Sequence, residues 1–112
     1  MSKPTDSDLR AAYQDLYDHL DDAYWAATTI EAKDKIRGIS EVVSDLLTDM
    51  NQADLSLRTE QYLSLKKSIK GVNKNLDKLK KEIDDIIKKV KLARQILNVI
   101  DKALDTAAKF FV

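Results

Sequence analysis

The sequence feature that most constrains the fold is an unbroken heptad repeat in the C-terminal half of the chain. From Tyr62 to Phe111, apolar residues or Tyr recur at alternating steps of three and four residues. This spacing places all of them on one face of an α-helix, as in coiled coils. A single helix of this length would extend about 75 Å. The members are Tyr62, Leu65, Ile69, Val72, Leu76, Leu79, Ile83, Ile86, Val90, Ala93, Leu97, Ile100, Leu104, Ala107 and Phe111.

Residues that end helices or form tight turns are scarce. Gly occurs twice, Pro once and Cys not at all among 112 residues, and only 6% of the chain is aromatic. Few turns are therefore available, and an all-β core is disfavoured. We predict an all-α fold in one domain spanning residues 1–112. Its expected architecture is an antiparallel helical bundle or coiled coil of about three helices with a long C-terminal helix.

Two breaks in the heptad phase divide the chain into its predicted helices. They fall at 31–35 and 58–61. The predicted helices are 6–34, 36–55 and 59–111.

Capping signals support the first helix boundaries. Thr5 or Ser7 can cap the start of the first helix, and the acidic residues Asp6 and Asp8 suit the positive end of its dipole. The tract Thr28-Thr29-Ile30-Glu31 offers a capping box, and Arg37 followed by Gly38 offers a C-terminal stop. We therefore expect a turn within residues 29–39.

Gly71 is the residue at which the long heptad region could be divided into two helices. A Gly inside a helix is unfavourable by about 1 kcal/mol relative to Ala. A break there would give three helices of similar length. However, the heptad phase passes through Gly71 undisturbed. We therefore favour one continuous C-terminal helix, with a break at Gly71 as the alternative.

The charge of the chain is distributed unevenly. Residues 1–60 carry 6 basic and 13 acidic side chains, net −7, whereas residues 61–112 carry 13 basic and 6 acidic, net +7. The favoured interpretation is that the acidic half packs on the basic half. The alternative is a basic surface for an anionic partner.

The last part of the heptad has a wider apolar face than the rest. Between residues 92 and 112, further apolar residues flank the heptad positions. A face this wide needs two helices to cover it, from the same chain or from a second copy. We predict an oligomer-binding or membrane-binding face, with cover by the same chain as the alternative. Its candidate residues are Ile96, Val99, Ala103, Phe110 and Phe111.

Three aromatic residues lie away from the heptad face of the first helix. Trp25 falls opposite that face, and Tyr17 and Tyr24 fall beside it, one heptad apart. One interpretation is that another helix packs there. The other is a partner-binding patch, since exposed Trp and Tyr are favoured anchors in protein interfaces. Tyr17, Tyr24 and Trp25 are therefore the candidate partner-binding residues.

Residue types needed for catalysis or metal binding are too few to form a site. His19 is the sole histidine, and Asp15 and Asp22 are the acidic residues that could share its helix face. Metal sites in helical bundles need a second ligand set on a facing helix, and none is evident. We therefore predict no catalytic residue, no metal, no cofactor and no enzymatic activity.

Three function classes remain. The favoured one is a protein–protein interaction module: an adaptor, a chaperone, an inhibitor or immunity protein, or an assembly subunit that binds a protein partner or forms homo-oligomers. The alternative is a membrane-associated protein, such as a pore-forming or lipid-binding component, that uses residues 92–112. Nucleic-acid binding is disfavoured because the acidic half would repel phosphate.

The expected location is the cytoplasm. The N-terminus is polar and acidic, without the features of a signal peptide, and no window is apolar enough to cross a membrane. Export without a leader is left open.

Overall fold

The first helix, α1, spans Asp6–Ala26 and begins with a capping box. In the computed structural model, which describes residues 3–52 and 60–111, the Thr5 hydroxyl accepts a hydrogen bond from the Asp8 backbone N–H at 3.1 Å. The Asp8 carboxylate in turn accepts one from the Thr5 backbone N–H at 3.0 Å. These two bonds satisfy backbone donors that the helix itself leaves unpaired. The bond from the Thr5 backbone N–H, and after it the Thr5 side chain, lower the pKa of Asp8 below its usual value.

The turn after α1 comes earlier than predicted. The second helix, α2, spans Ile30–Gln52, so the predicted first helix, 6–34, is too long at its C-terminal end. Thr29 caps α2, because its hydroxyl accepts a hydrogen bond from the Ala32 backbone N–H at 3.1 Å. Ile30 does not continue the core face of α1, since its side chain is 77% exposed.

The predicted second helix, 36–55, begins later than α2, which starts at Ile30. Gly38 was expected to stop a helix, but it lies inside α2 and is exposed. The predicted end at residue 55 and the predicted start of the next helix at residue 59 lie outside the described residues.

The prediction of one long C-terminal helix is wrong. The described part of this region forms two helices, α3 over Glu60–Ile86 and α4 over Val90–Phe110. The described residues thus form four helices rather than about three. Gly71 lies in the interior of α3, so the alternative break at Gly71 is also wrong. The all-α fold class is confirmed.

The turn at residues 87–89 changes which residues of the heptad region are buried. Ile87, which lies off the heptad, is buried, whereas Val90, which lies on it, is 69% exposed. After the turn, the heptad members Ala93 and Ile100 remain buried. The heptad members Leu97 and Leu104 are only partly buried, and Ile96 is buried in place of Leu97. Folding back allows two helices to cover the wide apolar face of α4, which one partner could not do.

The four helices form an up-down-up-down bundle. Each helix packs on its neighbours in the chain, and α1 also packs on α4, which closes the ring. The ammonium of Lys3 lies 5.6 Å from the ring centroid of Phe110, and the Tyr62 ring lies 6.1 Å from the same ring. The start of α1, the start of α3 and the end of α4 therefore share one end of the bundle. The turns at 27–29 and 87–89 share the other end.

Candidate functional site

The three predicted aromatic residues line one groove on the outside of the bundle, between α1 and α2. The groove has a volume of about 370 Å³. We call it the aromatic groove. Its lining residues are Tyr17, Leu20, Asp21, Tyr24, Trp25, Ile36, Arg37, Ser40, Glu41, Ser44 and Asp45. Leu20 and Ile36 are buried core residues that form its floor.

Trp25 is the most accessible member of this groove. It lies in the last turn of α1 and is 72% exposed. Its ring meets the Tyr24 ring edge-on, with the centroids 5.2 Å apart. An aromatic pair in this geometry is favourable beyond the area it buries. A large aromatic surface is therefore held at one end of the groove by a second ring beneath it.

Tyr24 is fixed from the other side by two basic residues of α2. The ammonium of Lys33 donates a hydrogen bond of 2.9 Å to the Tyr24 backbone carbonyl and lies 4.9 Å from the centre of the Tyr24 ring. The guanidinium of Arg37 donates a hydrogen bond of 2.9 Å to the Tyr24 hydroxyl and stacks 4.8 Å from the same ring. Cations favour the faces of aromatic rings. The two aromatic residues thus have a defined position before any partner binds.

The charge of the groove is negative overall. Asp21, Glu41 and Asp45 line it, and Arg37 is the one basic residue among the lining residues. Three carboxylates and one guanidinium give a net charge of −2. The guanidinium is already engaged by Tyr24. The groove therefore combines an exposed aromatic end with carboxylates along its length.

The predicted oligomer or membrane face on α4 has a different place in the structure. Ile96, Val99, Ala103 and Phe110 are buried, and Phe111 is partly buried. The Phe111 ring packs on Tyr62 and Phe110, with centroid distances of 5.3 and 4.8 Å. The wide face of α4 is thus covered within the chain itself, by the packing of α4 on α1 and α3.

Sequence analysis missed the part of the aromatic groove that α2 contributes. Lys33, Arg37, Glu41 and Asp45 recur every four residues, which places them along one side of a helix. That signal was available. It was hidden because Lys33 was assigned to the first helix and Arg37 to a helix stop.

Metal ligands are not grouped in the part of the chain that the structure describes. No set of three or more His, Asp or Glu residues there is arranged to hold a metal ion. The Nδ1 atom of His19 instead lies 2.8 Å from the carbonyl oxygen of Asp15.

Comparison with known proteins adds no assignment. The chain matches no protein-family model, no curated protein and no solved structure. Within residues 3–52 and 60–111, no helix has both the length and the apolar character needed to cross a membrane.

Proposed function

We propose that this chain is a non-enzymatic protein–protein interaction module that binds a segment of a partner protein in the aromatic groove. The observation that carries the proposal is the exposed Trp25 ring, held by Tyr24 at the end of a groove. Interfaces commonly combine a central aromatic anchor with a polar rim. Here the polar rim is formed by Asp21, Glu41 and Asp45.

The fixed geometry of the aromatic pair also supports this function. Lys33 and Arg37 already hold Tyr24 in place. A partner that covers Trp25 therefore does not have to order the Tyr24 side chain on binding. Pre-organisation of this kind lowers the entropic cost of binding. The net negative charge of the groove favours a partner segment with basic side chains.

The membrane-associated alternative has less support. It depended on an apolar face on residues 92–112, and the most apolar residues of that face are buried inside the bundle.

The test compares the whole chain with two single variants as immobilised bait in an extract of the source organism. We expect a stoichiometrically bound protein that is retained by the wild type and lost with Trp25→Ala. Leu63→Ala is the matched control, because Leu63 is also an exposed large apolar residue but lies on α3, away from the groove. The captured protein, once purified, should change the fluorescence of Trp25, which is the sole tryptophan of this chain. Equal retention by Trp25→Ala would contradict the proposal.

A further inference from the structure

A second surface, which begins on α2 beside the aromatic groove and continues onto α3, carries two stripes of opposite charge. On α2, Asp34, Gly38, Val42 and Asp49 are all exposed and lie at spacings of four, four and seven residues. Such spacings place residues along one side of a helix. We call this set the acidic stripe.

The neighbouring helix carries the complementary set. On α3, Lys67, Gly71, Lys74 and Lys78 are all exposed, at spacings of four, three and four residues. We call this set the basic stripe. The two stripes are adjacent, because Asp34 and Gly38 line a groove together with Asn75 and Lys78 of α3.

At one end of the stripes, the opposite charges lie at nearly the same level along the bundle. An ion pair between Lys35 and Glu82 joins α2 to α3 next to that groove. Asp49 lies 14 residues beyond Lys35, and Lys67 lies 15 residues before Glu82. Since α2 and α3 are antiparallel neighbours with the same rise per residue, Asp49 and Lys67 are at nearly the same height.

The charged members of the stripes are not neutralised within the described chain. The ion pairs among the described residues are His19–Asp15, Lys35–Glu82, Lys80–Asp101 and Lys109–Asp105. None of them includes Asp34, Asp49, Lys67, Lys74 or Lys78. The one pair that joins the two halves of the chain uses a lysine from the acidic half and a glutamate from the basic half. The dominant charges of both stripes therefore face outward.

Each stripe also contains a glycine that the chain itself does not require. Gly38 and Gly71 both lie inside helices, where Gly is unfavourable relative to Ala. A Cβ atom added at either position would meet nothing within 4 Å. A position without a side chain permits another backbone to approach closely.

We propose that the α2/α3 face is the interface of a homodimer, whose twofold axis runs parallel to the bundle axis. This operation places the acidic stripe of one copy against the basic stripe of the other, and the reverse contact forms at the same time. A twofold axis perpendicular to the helices would instead oppose like charges, which is unfavourable. Val42, which is 41% exposed near the centre of the face, becomes buried in the dimer. This surface shares no residue with the aromatic groove and goes beyond the proposed function.

The first test measures the mass of the full chain by sedimentation equilibrium at low and high salt. We expect a mass near twice 12.7 kDa at low salt. It should move towards the monomer in about 1 M salt, where the Debye length falls to about 3 Å. A chain that remains monomeric at about 1 mM in low salt would overturn the proposal.

Charge reversal identifies the interface. One variant carries Lys67→Glu and Lys74→Glu, and the other carries Asp34→Lys and Asp49→Lys. Each of these two variants should be monomeric on its own, because both of its stripes then carry charge of the same sign. An equimolar mixture of the two should form a heterodimer, and a chain with all four substitutions should form a homodimer again. Failure of both the mixture and the fourfold variant to associate would overturn the proposal, provided that circular dichroism shows each variant folded.

The variant Gly71→Gln distinguishes an effect on dimerisation from an effect on folding stability. A side chain at this position should raise the melting temperature of the monomer, because Gln is the better helix former. It should also weaken the dimer by about tenfold, because it holds the two backbones apart. An unchanged dimer would contradict the proposal. Trp25→Ala should leave the dimer unchanged, so loss of partner binding in that variant and loss of dimerisation can be told apart.

Discussion

The hydroxyl of Tyr13 on α1 donates a hydrogen bond of 2.7 Å to the side-chain oxygen of Asn73 on α3. It thereby links two helices that lie diagonally across the bundle. The Tyr13 side chain is buried, and this burial raises its pKa well above the ordinary range, with the Asn73 bond opposing the shift only in part. The hydroxyl therefore remains a protonated donor at any pH at which the bundle is handled. This polar link fixes the register of α1 against α3, which apolar packing alone specifies less strictly.

Removing this hydroxyl should destabilise the fold. We expect Tyr13→Phe to lower the free energy of unfolding by about 1 kcal/mol, because the Asn73 oxygen loses its donor in a partly buried site. Urea denaturation followed by circular dichroism measures the change. Tyr17→Phe is the control, since that half-buried tyrosine lies on the groove side of α1. Equal losses in the two variants would show that the Asn73 bond contributes nothing.

The capping box at the start of α1 should make stability depend on pH. The folded state lowers the pKa of Asp8 below its ordinary value of 3.8. The resulting stabilisation is present above that value and is lost as the pH falls through the lower folded pKa. The melting temperature of Asp8→Asn should therefore lie below that of the wild type at pH 7, and the gap should narrow in acid. A Thr5→Ala background should preserve most of this effect, because the main partner of the Asp8 carboxylate is the backbone N–H of residue 5, which alanine retains. A gap that widens in acid would contradict this account.

The core faces of α1 and α3 could be predicted from sequence, because they follow the heptad without interruption. From Tyr62 to Ile86, every heptad member is buried. The turn at 87–89 could not be predicted in the same way. Ile86 and Ile87 are both apolar, and Val90 preserves the heptad phase, so local pattern permits a continuous helix. Lys89, the N-cap of α4, contributes no side-chain cap. The packing of α4 on α1, a tertiary effect, favours the turn.

The candidate site was predictable only on the side of α1. Tyr17, Tyr24 and Trp25 could be placed away from the heptad face by helical spacing alone. The four-residue spacing places Lys33 and Arg37 on one side of a helix, but placing them beside Tyr24 also requires knowing where α1 ends. Because α1 ends at Ala26 rather than at residue 34, Lys33 belongs to α2. Turn positions are weakly specified where neither Gly nor Pro marks them.

Filling the space above Gly71 should stabilise the monomer. We expect Gly71→Ala to raise the free energy of unfolding by about 1 kcal/mol, because the position is helical and its added Cβ meets nothing. Denaturation should be measured in high salt, so that association does not contribute. Gly38→Ala is a second instance on α2 and should behave alike. A loss of stability in Gly71→Ala would indicate that α3 bends at this position.

Two apolar residues beside the α3–α4 turn distinguish the hairpin from a continuous helix. Ile87→Ala should lower the free energy of unfolding by about 2–5 kcal/mol, because Ile87 is buried and its truncation leaves a cavity. Val90→Ala should change it by less than about 0.5 kcal/mol, since Val90 is exposed. A continuous helix with the heptad phase predicts the opposite order, because Val90 would then lie in the core face and Ile87 beside it. Chemical denaturation of the two variants therefore decides whether the chain folds back at 87–89. A larger loss of unfolding free energy in Val90→Ala than in Ile87→Ala would contradict the hairpin.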